Sequence, residues 1–227
     1  MFHEPFRQWV LEDAFVKGTA PDLRATGVTL VPDVSPFEHM KLRMLNGTHS
    51  ALAYMGWLCG FETVAEAVAD PELRAFVTRL WRDEISVSFN GPQGVDIAEY
   101  AAALLERYDN PAIQHRAIQI AMDGTQKLPQ RILSALFETR RAHRTYEELL
   151  SVVVEWIAFV AVRSKTHALD DPMATELADV VASAEDTNTL ISGMLQLGTV
   201  FEYYPADEIA KELGPRAEDG LERGALR

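Results

Sequence analysis

The sequence predicts a mainly α, multi-helical domain. Three observations carry that expectation. Apolar residues recur at helical spacing, as in Leu73, Phe76, Val77, Leu80 and Trp81. Helix-start signatures punctuate the chain at Ser35-Pro36-Phe37-Glu38, at Asp70-Pro71-Glu72 and at Thr145 with Glu148. Strands do not alternate with helices, and no G-x-G-x-x-G follows a strand. The chain therefore lacks, by itself, the elements of a Rossmann-type dinucleotide-binding unit.

Residues 1–34 read as an irregular leading segment with at most one short strand, at Val28 to Val31. Pro21, Gly27 and Pro32 punctuate it, and its large apolar residues Phe6, Trp9, Val10 and Phe15 imply a neighbour upstream or alongside. The helical domain spans 35–213, and a polar tail occupies 214–227. Ser35 is expected to cap one long helix reaching Gly60, with Pro36 at its first position. A second helix starts at Asp70 and runs to about Ser86. Asn90 to Gly94 form a loop, and Ile97 to Tyr108 the next helix. Asn110-Pro111 is expected to start another, with Ile113, Ala117, Ile120 and Ala121 as its stripe. Asp123 to Lys127 interrupt the pattern before a helix from Leu128-Pro129 to about Ala142. The most apolar helix, Tyr146 to about Arg163, is expected at the centre of the bundle. Asp171-Pro172 is a turn, followed by helices near 175–184 and 187–197, and Pro205 starts a short one.

A chain of 227 residues with 48% hydrophobic content can bury a sizeable core. Its net charge of −13 argues against a general nucleic-acid or anionic-membrane surface. The single cysteine, Cys59, excludes a disulfide framework and a cysteine-based metal site. It reads as a small core residue in a reducing, cytoplasmic setting. The N-terminus has an early acid and no uninterrupted apolar core, unlike a signal peptide. The apolar run Leu149 to Val162 is too short for a bilayer and is broken by Glu155.

The stretch Lys41 to Gly60 holds the chemistry. At about 100° per residue, with Lys41 at zero, Asn46 falls near 140° and His49 near 80°. The same sector holds Leu42, Leu45, Leu52 and Gly56, so three polar groups project from an otherwise apolar or small face. A lysine that loses hydration becomes usable as a proton acceptor near neutral pH. An amide can donate to a developing oxyanion, and an imidazole can hold a hydroxyl or carbonyl oxygen. Together they suit oxidation of a secondary alcohol or reduction of a ketone, with a cofactor taking the hydride. No metal is implied, because the six histidines form no HxxxH pair. Spacing alone also permits a structural alternative. Lys41 would pair with Glu38, His49 would be a satisfied core histidine, and Asn46 would cap a break near Gly47.

The run Lys41-Leu42-Arg43-Met44-Leu45-Asn46-Gly47-Thr48-His49-Ser50 resembles the K-x-x-x-x-N-x-x-H motif of the long-chain mannitol dehydrogenase family. Further segments resemble the same family: Glu4-Pro5-Phe6-Arg7-Gln8-Trp9-Val10, Asp33-Val34-Ser35-Pro36-Phe37-Glu38, Asp123-Gly124-Thr125-Gln126-Lys127-Leu128-Pro129, and Asp171-Pro172-Met173-Ala174. The resemblance covers most of 1–213. It implies the C-terminal substrate domain of an NAD- or NADP-dependent, metal-independent polyol or aldonate dehydrogenase, without the Rossmann domain. Lys41 would be the general acid/base, Asn46 would stabilise the alkoxide or carbonyl oxygen, and His49 would orient the substrate. Lys127 resembles a substrate-contacting position. Some relatives carry an arginine eight residues earlier; here that position is Gln119, with Arg116 as a substitute. The implied partners are an N-terminal Rossmann-type domain or subunit and a sugar alcohol, ketose or hexuronate, with no nucleic acid and no membrane. Alone, the chain is expected to give no turnover. A non-catalytic helical module of the same fold, acting with a separate partner, is the alternative.

Overall fold

The computed structural model describes residues 8–16, 22–202, 204, 209–213 and 216. Glu4 to Arg7, Pro205 and nearly all of the polar tail lie outside them. Helices dominate, as the periodicity requires. The leading segment departs from the expectation of at most one strand. It holds two, β1 (Val10–Glu12) and β2 (Thr29–Val31), paired in parallel with Val10 opposite Thr29. Three-residue strands are too short to show alternation, and their pairing depends on a partner about twenty residues away.

The long helix from Ser35 is continuous but not uniform. It comprises α1 (Ser35–Met40), a π-helical stretch Lys41–Gly47, and α2 (Thr48–Leu58). The cap is not Ser35. Val34 is the N-cap residue, without a side-chain hydrogen bond, and Asp33 just before it accepts from the Ser35 backbone N–H at 2.9 Å and from its hydroxyl at 2.6 Å. Cys59 sits at the C-cap of α2, where the chain leaves the bundle, and is exposed rather than in the core.

The next helices are α3 (Val64–Ala69) and α4 (Pro71–Arg79). The latter is capped by Asp70, which accepts from Glu72 and Leu73, as its Asp-Pro start requires. A second π stretch, Leu80–Ile85, continues α4 with an i→i+5 bond from Ser86 to Trp81. Then α5 (Ile97–Tyr108) forms over the expected residues. Asn110-Pro111 starts no long helix. Residues 110–116 turn instead, the chain pairs briefly at Thr63 and Arg116, and only α6 (Ala117–Ile120) is helical. The helix expected from Leu128 begins earlier, as α7 (Gly124–Leu128). It runs through a third π stretch, Pro129–Leu133, into α8 (Ser134–Arg141).

Helix α9 (Glu147–Thr166) is the centre of the bundle. Leu149, Leu150, Val152 to Val154 and Trp156 to Ala161 are all buried. Helices α2 and α10 (Ala174–Ser183) pack along it, with α11 (Thr187–Leu195) and α12 (Gly198–Phe201) closing one side. Among the described residues no helix is long and apolar enough to cross a membrane.

Thr145 makes no side-chain cap on α9. Buried Glu84, from the second π stretch, does the capping. Its carboxylate accepts from Glu148 N–H at 2.9 Å and Leu149 N–H at 2.7 Å. Burial, reinforced by Glu148 and Glu147, pushes the Glu84 carboxyl above its ordinary range, against the lowering by those two bonds. Glu84→Ala would leave two donors at a packed helix start. We expect a loss of about 2–4 kcal/mol, read as a fall in Tm of roughly 5–15 °C by calorimetry.

Candidate functional site

The π stretch changes the geometry expected for Lys41, Asn46 and His49. With i→i+5 bonding a turn holds more than four residues. Lys41 and Asn46, five apart, therefore stack more nearly in line than an α-helix allows. The structural alternative for these residues fails at each position. Lys41 is exposed and has no carboxylate within ion-pair distance among the described residues. The helix passes through Gly47 without a break, so Asn46 caps nothing. His49 is mostly buried, yet its Nε2 has no hydrogen-bond partner.

Lys41 opens into a cleft of about 510 Å³ between β1, α1 and α5. Trp9, Val34, Phe37, Glu38, Leu45 and Arg107 are among its lining residues. Trp9 is 60% exposed there, an uncovered aromatic beside the lysine. The exposure of Lys41 differs from the desolvated setting expected on an apolar helix face. The described residues cover the flanks of that face but leave the end of the lysine open.

His49 lies eight residues, about two turns, beyond Lys41. Its ring stands 4.9 Å from that of Tyr108 and edge-on to that of His115 at 5.4 Å. Burial, followed by the charges of His115, Arg107 and Arg131, holds its imidazole down to about 3. It is thus neutral throughout the physiological range. It can donate or accept a hydrogen bond but carries no charge to shuttle. Arg107 both lines the Lys41 cleft and acts on His49, which joins the two.

From the opposite side come α7 and the third π stretch. Close approach is possible because position 47 is glycine: a Cβ there would stand 3.0 Å from the Arg131 carbonyl oxygen. Arg131 Nη1 donates to the Asn46 carbonyl at 3.4 Å and the Ser50 hydroxyl at 3.2 Å. Lys127, one turn earlier, donates to the Met122 carbonyl at 2.6 Å and the Ile120 carbonyl at 3.3 Å, with Asp123 at 3.7 Å. Burial, with Arg131 nearby, lowers the Lys127 ammonium from its ordinary range.

The Asp123-to-Lys127 segment, the start of α7, is held from outside. Asp123 has a left-handed backbone, φ 54°, which an aspartate tolerates better than most residues. Asp171 caps the start of α7, accepting from Thr125 N–H at 2.9 Å and its hydroxyl at 2.5 Å, and also accepts from Met173 N–H at 2.9 Å. The two short Asp motifs of the sequence thus form one latch that sets Lys127. Gly124 has no room for a side chain, because a Cβ would lie 2.5 Å from Trp156 Nε1 and 3.3 Å from Tyr54 Oη. Gly124→Ala is expected to cost about 1–3 kcal/mol. It should also shift the indole resonance of Trp156 in proton–nitrogen NMR spectra.

The two remaining sequence candidates sit apart. Arg116 is exposed at the N-cap of α6, next to His115. Gln119 is exposed and lines a different cleft, of about 500 Å³, with Trp156, Arg163 and Asp170. Sequence reasoning did not single out Arg131 or Arg107. The signal for Arg131 was its place four residues after Lys127, on the same helical face. Nothing local marks Arg107.

The described residues hold no group of three or more His, Cys, Asp and Glu placed for a metal ion. The sheet among the described residues has two parallel strands of three residues each. The fold and site define a helical domain with an exposed lysine in an open cleft and, further along the same helix, a half-buried amide and a mostly buried, neutral imidazole.

Comparison with known proteins places that domain. Residues 33–214 match the family profile described as the mannitol dehydrogenase C-terminal domain. The chain belongs to that family. It is 42% identical over 201 residues to a D-mannonate oxidoreductase of Escherichia coli, covering 87% of this chain and 41% of the relative. It is 38% identical over 196 residues to a mannitol 2-dehydrogenase of Aspergillus fumigatus, covering 83% and 39%. Among solved structures, the Pseudomonas fluorescens mannitol 2-dehydrogenase in ternary complex with NAD and D-mannitol superposes with a TM-score of 0.83 at 28% identity, over 96% of this chain and 44% of that one. The chain thus spans about two fifths of the length of these relatives.

Proposed function

We propose that this chain is the substrate-holding, proton-handling part of an NAD(P)-dependent polyol or aldonate dehydrogenase. It interconverts a secondary alcohol and a ketone together with a Rossmann-type domain or subunit. The observation that carries the reading is the Lys41, Asn46 and His49 set, on one helix, with Lys41 uncovered in a cleft and His49 neutral and unsatisfied.

In the oxidative direction Lys41 takes the hydroxyl proton as the carbon gives up its hydride to an acceptor outside this chain. The Asn46 amide donates to the oxygen as negative charge develops on it. The neutral His49 ring fixes a substrate oxygen by a hydrogen bond at its unpaired Nε2. Lys127 holds a further substrate oxygen. Its ties to the Ile120 and Met122 carbonyls fix where its ammonium stands. Protein that covers the cleft supplies the desolvation which turns an exposed amine into an effective base. The reading is tested by following NAD(P)H absorbance with hexitols and hexonates in the full-length protein and its Lys41→Ala variant.

A further inference from the structure

The π stretch Lys41–Gly47 is gripped through its own carbonyl oxygens. Three successive ones, those of Met44, Leu45 and Asn46, each accept from a side chain of a different element. Trp81 Nε1, on the second π stretch, donates to Met44 at 3.2 Å. The Tyr108 hydroxyl, at the end of α5, donates to Leu45 at 3.0 Å. Arg131 Nη1, on the third π stretch, donates to Asn46 at 3.4 Å. Successive residues of a helix face directions about 100° apart, so the three donors surround much of the turn. A carbonyl drawn outward by a side chain is a poorer partner for the N–H four residues on, and a turn held this way stays wide.

Tyr108 joins this clamp to the site. It is buried, its ring stacks on that of Trp81 at 6.1 Å, and its other neighbour is the His49 ring. The indole N–H of Trp81 also reaches the Thr48 hydroxyl, at 2.7 Å, which ties the pair to the start of α2. A buried tyrosine differs from phenylalanine in a hydroxyl that must find a partner. Here that hydroxyl is spent on the backbone of the one turn that lies between Lys41 and His49.

We propose that Tyr108 is a positioning residue for the proton transfer. Its hydroxyl, with Trp81 beside it, holds the π turn open and so fixes where Lys41 stands relative to Asn46 and His49. The inference rests on the dehydrogenase reading above and extends it to a residue that acts through Lys41.

The test is Tyr108→Phe in the full-length protein, with hexitols and hexonates as substrates. Phenylalanine keeps the ring against His49 and Trp81 and removes only the donor to Leu45. On the best substrate kcat should fall about 10- to 100-fold while KM stays within about threefold. Tm should fall by only about 2–4 °C. In a Lys41→Ala background the same substitution should change kcat/KM by less than about threefold, because no tethered base is left to misplace. Methylamine, which is not tied to the helix, should bring Lys41→Ala and the double variant to the same rate. A parental kcat in Tyr108→Phe overturns the inference. So does an equal loss with and without Lys41, which marks general support of the fold; both results leave the dehydrogenase reading standing. Parental activity in Lys41→Ala removes the base through which Tyr108 would act. Absence of turnover on every compound with either dinucleotide defeats the dehydrogenase reading, and this inference with it.

Discussion

Replacing Lys41 with alanine in the full-length protein is expected to lower kcat/KM by about 10²- to 10⁴-fold, the usual worth of a positioned acid/base group. That corresponds to about 3–5 kcal/mol of transition-state stabilisation. The fold should not suffer. Lys41 is exposed, has no ion pair among the described residues, and leaves the π stretch around it intact. Tm and far-UV circular dichroism should match the parent, which separates lost chemistry from lost structure. Added methylamine should restore part of the rate by supplying the missing base. Activity near the parental level would remove Lys41 from the proton transfer and return the helix to a packing role.

The second large effect concerns acid stability. His49 is held at about 3 in the fold against an ordinary 6.5, first by burial and then by cationic neighbours. The folded form therefore refuses a proton that the unfolded chain accepts. The stability His49 contributes is fully present above pH 6.5 and is lost as pH falls toward 3. The slope is about 1.4 kcal/mol per pH unit within that window, adding up to about 3–5 kcal/mol at its lower end. Urea midpoints measured from pH 7 to pH 4 for the parent and for His49→Gln should converge or cross as the parent loses its advantage. Parallel curves across the window would mean that His49 takes up a proton freely in the fold.

The elements legible in the sequence were those fixed by their own residues. Asp70 caps the helix that its Asp-Pro dipeptide announces. The helix Ile97–Tyr108 and the apolar centre of α9 follow from periodicity alone. What escaped depends on partners distant in sequence. Glu84 caps α9 from more than sixty residues away, so Thr145, with the right local signature, is not used. The strand at Val10 exists because Thr29 lies beside it. Asn110-Pro111 carries a start signal, but its segment is drawn into pairing with Thr63 instead. For the site, residue types and spacing pointed to the lysine, amide and imidazole. They could not show that Arg131 would be folded against Asn46, nor that Gln119 would face another cleft.

The wide turns at Lys41–Gly47 and Pro129–Leu133 face each other across the site. Each works as a phase adjuster. An α-helix advances every residue by the same angle, so the direction of His49 relative to Lys41 would be locked by their separation in sequence. A turn with room for an extra residue uncouples the two directions while the outer faces of α1 and α2 keep their own packing. The length of this segment then behaves as a setting. Removing a single residue between Lys41 and His49 would restore ordinary winding and leave a sound helix, but would rotate one half of the proposed catalytic set away from the other. Tolerance to insertion and deletion should therefore be lowest here, in a stretch whose side chains individually look replaceable.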